Sequence, residues 1–218
     1  NSDVIRVYPW YSDYAIGTKA GSKTDIQIQK KTHFGTTDED GVARTVTCNG
    51  IMGGSAAVSI EGAGRFVVNN VNTASSAVTV TDTATLAINA GKQMTSGALT
   101  VDSGATLEVA SGVNTFGGLT LNDGATLAFN FTERTVAPQI SIAEGKELTV
   151  KGAVNVKIPA DSKWPTSGEK VLTTCGGFTA DKVSLAEGAP KWAKRVYVNE
   201  DGNIVLDVKP MGTRVIVR

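Results

Sequence analysis

The chain has 218 residues, of which 41% are hydrophobic and 19% charged, which suits one large domain or two small ones with a packed core and many uncharged turns. Its formal net charge is zero, and its nearest approach to a basic run is the pair Lys30 and Lys31, so nucleic acid and anionic membranes are excluded as expected partners. Neither a membrane-spanning apolar segment nor a set of zinc ligands is present: the only histidine is His33 and the only cysteines are Cys48 and Cys175.

Residues 1–56 are expected to form an N-terminal strand-rich cap region, with Val4–Tyr8 and Ile26–Ile28 alternating as strands do, Thr36–Gly41 a polar turn and Gly50–Gly54 a link to the first clear coil. The chain begins at Asn1 and reads as a mature or trimmed fragment. Tyr8, Trp10, Tyr11 and Tyr14 make its one aromatic-dense stretch. Rings with polar tips suit sugar stacking or protein contact, and equally suit packing over an open end of a core.

Residues 57–152 repeat. Ala98-Leu-Thr-Val-Asp-Ser-Gly-Ala-Thr-Leu-Glu-Val-Ala110 and Gly118-Leu-Thr-Leu-Asn-Asp-Gly-Ala-Thr-Leu-Ala-Phe-Asn130 share one plan, with further copies at 57–69, 77–89 and 139–151. A first apolar anchor runs Val58, Val78, Leu99, Leu119, Ile140, and a second runs Phe66, Leu86, Leu107, Leu127, Leu148, both in steps of 20, 21, 20 and 21 residues. Within each copy apolar and polar residues alternate on either side of an Asp-, Asn- or Gly-bearing turn, the pattern of two short strands with one buried face. A unit this short cannot bury that face alone, so successive units are expected to stack as coils, with equivalent strands pairing in parallel. The fold class expected is all-β, a parallel β-helix or β-solenoid with atypical capping segments at both ends; a meander of hairpins is the alternative. Residues 153–218 are expected to hold the last coils and the second cap. Their candidate strands are Val154–Ile158, Val171–Leu172, Val196–Val198, Ile204–Val208 and Val215–Val217.

The stretch 97–109, Gly-Ala-Leu-Thr-Val-Asp-Ser-Gly-Ala-Thr-Leu-Glu-Val, resembles the passenger-associated strand repeat of bacterial autotransporters and related surface proteins. Gly64-Arg-Phe-Val-Val-Asn-Asn-Val-Asn-Thr73 is similar to the opening of that repeat, and 168–178 with 202–206 to the closing segment of such passengers. The resemblance implies a right-handed helix, secretion and exposure at a cell surface, and it carries no catalytic residues. The 218 residues hold no set of amphipathic barrel strands beside it.

Three further groups carry site readings. Asp82, Asp102, Asp123 and Glu144 sit in successive turns, where stacked carboxylates could hold Ca²⁺ or simply cap the turns. Asn69, Asn89 and Asn130 recur three residues after the second anchor and read as a structural corner ladder. Cys48 and Cys175 are either a disulfide in an oxidising compartment or two buried thiols. No cofactor-binding or nucleophile motif occurs, so no cofactor and no catalysis are expected. The function expected is that of a secreted or cell-surface scaffold or adhesive module. A glycan-binding module comes second and a polysaccharide-active β-helix third, and the expected partner is a surface glycan or a protein.

Overall fold

The computed structural model describes residues 4–16, 25–70, 77–89 and 97–210. It is built of stacked coils, each contributing a strand to two long parallel sheets. The seven-stranded sheet contains β1 (Val4–Val7), β4 (Lys31–Gly35), β7 (Val58–Glu61), β9 (Val78–Val80), β11 (Leu99–Val101), β14 (Leu119–Leu121) and β17 (Leu148–Val150). The eight-stranded sheet contains β2 (Tyr14–Ile16), β5 (Thr45–Cys48), β8 (Arg65–Val68), β10 (Thr85–Ile88), β12 (Thr106–Ala110), β15 (Ala125–Asn130), β18 (Val154–Lys157) and β20 (Val183–Leu185). Parallel pairs β3 (Asp25–Ile28) with β6 (Ile51–Gly54), and β13 (Gly112–Phe116) with β16 (Pro138–Ile142), stand outside these two ladders. Beyond them β19 (Gly168–Val171), β21 (Ala193–Val198) and β22 (Ile204–Val208) form an antiparallel sheet. The parallel pairing excludes the hairpin meander, and the helical content among the described residues is one 3₁₀ turn, Ala180–Lys182.

Alternation decides what is buried. Along the seven-stranded sheet Val58, Val78, Leu99 and Leu119 are aligned, as are Ile60, Val80, Val101 and Leu121, and all are buried. Across the core from them Val46, Phe66, Leu86, Leu107 and Leu127 form the matching column. Between the sheets the chain turns at Ala84, Ala105 and Ala125, each 0% exposed, and the next coil places the buried Val154 beside Ala125. The turns before these corners use Gly104 and Gly124, both at φ +81°, a conformation open to a residue without a Cβ.

The strand pairing shows how the coils connect, and one expectation about register changes. The ladders cross residue 57 without a break, because β1 and β4, and β2 and β5, extend the same sheets. β1, β2, β4 and β5 therefore supply strands to the same two sheets as the repeats. The last repeat has a different register. Leu148, and not Ile140, lies beside Leu119, while Ile140 belongs to β16 and pairs with Asn114 of β13. Val156 then takes the place beside Leu127 that Leu148 was expected to hold. The segment 131–142 inserts a loop and a strand on a third side, so the step from Leu119 to its neighbour is 29 residues. Period-two alternation is the same in every strand and cannot report which side a strand occupies. At the far end, Ile204, Leu206 and Val208 of β22 join the same core, and Phe131 meets Trp192 edge to face with ring centroids 5.5 Å apart. Of the expected late strands, Val215–Val217 lies outside the described residues.

Candidate functional site

The outward residues of the eight-stranded sheet are small or polar. Arg65, Thr85, Thr106, Thr126 and Asn155 form one column, and Val67, Ala87, Glu108, Ala128 and Lys157 the next. Arg65 reaches diagonally across the intervening strand to Glu108: its two terminal nitrogens donate to the two carboxylate oxygens at 2.5 and 2.8 Å. Ala87 lies between them and is 1% exposed, its side chain short enough to leave the path open. A bidentate pair fixes both position and orientation. Asn130 Nδ2 donates to the same carboxylate at 3.0 Å, so Glu108 is pinned from both sides. The Glu108 side chain is only 10% exposed and Arg65 is 38% exposed.

Over this face the segment after β18 folds back, and a trough of about 430 Å³ opens between it and the Arg65–Glu108 pair. Thr85, Thr106 and Ala128 line its floor, and Lys157, Pro159 and Asp161 line the other wall. Two cationic and two anionic side chains face it, so it carries no net charge. The trough joins residues from β8 through the loop after β18, which are far apart in sequence; their connection comes only from the coil register.

A second polar cluster lies on the outer side of the seven-stranded sheet, near its first edge. Tyr8 Oη donates to Glu61 Oε1 at 2.5 Å, and His33 Nδ1 lies 2.9 Å from Glu61 Oε2, which places a proton on Nδ1. Burial works against the ionised Glu61 carboxylate. The hydrogen bonds from Tyr8 and His33, with the charge of Arg6, outweigh it and hold Glu61 below the usual glutamate range. The hydrogen bond to Glu61 in turn raises the Tyr8 phenol. The Tyr8 ring crosses Gly35, where an added Cβ would come within 1.9 Å of the ring, so the bare glycine is what lets it pass.

The aromatic stretch divides. Tyr8, Trp10 and Tyr11 are exposed, Trp10 at 72%, and Trp10 meets Tyr11 edge-on at 6.0 Å. Tyr14 instead packs against the core, and burial pushes its hydroxyl up to about 12. Tyr14 is thus set apart from the three exposed rings.

The expected acidic column does not assemble. Asp82 accepts from the Gly62 amide at 2.9 Å and Asp123 from the Ala153 amide at 2.7 Å, each capping the turn of a neighbouring coil. Asp102 stands one position earlier and accepts from Asn122 Nδ2 at 2.5 Å, while Glu144 is exposed in the turn between β16 and β17. Among the described residues no three His, Cys, Asp or Glu side chains gather as a metal site. Asp82 sits at φ +57°, which aspartate tolerates better than most side chains.

The asparagine ladder is present with a different membership. Asn69 Nδ2 donates to Asn49 Oδ1 at 2.8 Å and Asn89 Nδ2 donates to Asn69 Oδ1. Asn130 is cut off by Ala110 and turns to Glu108. Cys48 is buried and Cys175 half-buried, both as free thiols, and burial pushes each up to about 11. The candidate disulfide between them is not formed.

The pairing of Arg65 with Glu108 and of Tyr8 and His33 with Glu61 escaped sequence reading. The signal available for the first was the step of 20 or 21 residues, which aligns residues 65, 85 and 106 once the strands are stacked, whereas the coils that join Tyr8 and His33 to Glu61 are 26 or 27 residues long and fall outside that repeat. Compared with protein-family models, curated proteins and solved structures, the chain has no match.

Proposed function

We propose that this chain is a non-catalytic module of a secreted or cell-surface protein, a stiff scaffold that displays binding surfaces on its sides. The observation that carries this reading is the pair of continuous parallel ladders around one apolar core. Eight strands at roughly 4.8 Å spacing give a rod on the order of 35 Å long, in which backbone groups are paired coil to coil and the core excludes water. The resemblance to passenger-type repeats favours placement outside the cytoplasm, with a right-handed winding and capped ends. The pinning of Glu108 also favours a non-catalytic role: a proton-transferring carboxylate needs an oxygen open to substrate, and both of its oxygens are engaged.

A second reading, a glycan-binding module, is favoured by the polar trough on the eight-stranded sheet. The two readings are compatible, the second naming what the scaffold holds.

Two measurements test the proposal. Protease added to intact source cells is expected to digest the chain without lysis, and protection until lysis would overturn surface placement. Incubation with neutral and acidic polysaccharides is expected to release no new reducing ends, and release above a heat-denatured control would overturn the non-catalytic reading.

A further inference from the structure

We infer that the trough on the outer face of the eight-stranded sheet is a binding site for a neutral oligosaccharide lying along the solenoid axis, an inference that rests on the binding-scaffold reading above. The trough sorts its polar groups into two sets. Arg65, Glu108 and Asn130 are engaged with one another. Thr85, Thr106, Lys157 and Asp161 face the same space with no side-chain hydrogen bond or ion pair among the described residues. The first set is a rigid wall, and the second is a free complement of two hydroxyls, an ammonium and a carboxylate.

That complement fits a hydroxyl-rich ligand. Sugar hydroxyls both donate and accept: Asp161 accepts only, Lys157 donates only, and a threonine hydroxyl does either. Thr85 and Thr106 are direct neighbours in the parallel ladder, so their hydroxyls repeat at the strand spacing of roughly 4.8 Å along the rod axis. A chain of similar rings running along the axis meets them in succession. The Pro159 ring, half-buried at the wall of the trough, offers a small apolar surface for the C–H face of a sugar ring. The balance of two positive and two negative side chains gives an acidic polymer no electrostatic advantage. At about 430 Å³ the trough is within the range of small-ligand sites.

The test is nuclear magnetic resonance titration of the full chain with hexasaccharides of glucose, mannose, xylose and N-acetylglucosamine, and with hexagalacturonate as the acidic probe. At least one neutral hexasaccharide is expected to shift the signals of Thr85, Thr106 and Lys157 together. Thr85→Val with Thr106→Val, which keeps β-branched side chains in both strands, is expected to weaken binding about tenfold, as is Asp161→Asn, from the loss of one or two net hydrogen bonds. Unchanged thermal unfolding of the variants shows that they remain folded. The inference is overturned if none of the neutral hexasaccharides moves these signals, if only hexagalacturonate does, or if folded variants bind as the parent does. Those outcomes leave the scaffold reading standing. New reducing ends in the same samples would remove the non-catalytic reading and leave the site in place.

Discussion

Individual side chains in this protein are chosen for what the neighbouring coil presents. Ala87 is small because the Arg65 side chain passes it to reach Glu108, and Gly35 has no side chain because the Tyr8 ring passes over it. The same logic exposes a residue that does not fit. The Tyr14 hydroxyl is buried without a hydrogen-bond partner among the described residues. An unsatisfied buried hydroxyl costs roughly 1–3 kcal/mol. Tyr14→Phe is therefore expected to leave stability unchanged or raise it by about 1 kcal/mol, read from denaturant unfolding. A loss of that size would mean that the hydroxyl has a partner. The aromatic density of 8–14 was legible in the sequence, but its division into exposed Tyr8, Trp10 and Tyr11 and core-facing Tyr14 was not. The division arises because Tyr14 opens β2, whose alternation places it in line with Val46.

Between strands, Glu61 ties the first three coils together. It stands just after the last inward residue of β7 and binds Tyr8 just past β1 and His33 in β4. Because its folded pKa is lowered, its contribution to stability is complete above the ordinary glutamate range and is lost as pH falls through its folded value. Amide hydrogen exchange in β1 is therefore expected to speed up on acidification, relative to β12, and Glu61→Gln is expected to flatten that dependence. Equal acid response in parent and variant would contradict the role of Glu61. Strand positions were largely legible before the structure: the repeats over 57–130 fell on β7 to β12, β14 and β15 with the correct facing, while β13 lies between two copies and was not read. The repeat at 139–151 was placed one strand too early, because β16 has the same alternation as the strands of the main sheets. An inserted loop shifts register without changing pattern. The polar trough and the Glu61 cluster were not legible for a related reason, since both join residues more than 20 positions apart whose contact exists only once the register is known.

At the scale of the whole molecule the repeat pays for its own stacking, each coil burying the apolar face of the one before it. The two ends differ. At the late end β22 and Trp192 close onto the core, whereas at the early end Ile5 is 47% exposed and β1 and β2 are the terminal strands of their sheets. A parallel ladder exposes its unpaired groups only at such edges. The central claim is that the strands from β1 to β20 that form the two long sheets belong to one stack of parallel coils, with Leu148 and its neighbours beside Leu119. Cysteine cross-linking tests it most directly, in a background where Cys48 and Cys175 are replaced by alanine. Thr120 and Thr149 are outward-facing partners, so T120C/T149C brings two thiols to the spacing a disulfide accepts. Rapid intramolecular oxidation of T120C/T149C, with none for T120C/S141C, is the expected result, and a disulfide in T120C/S141C in its place would contradict the register and the stack built on it.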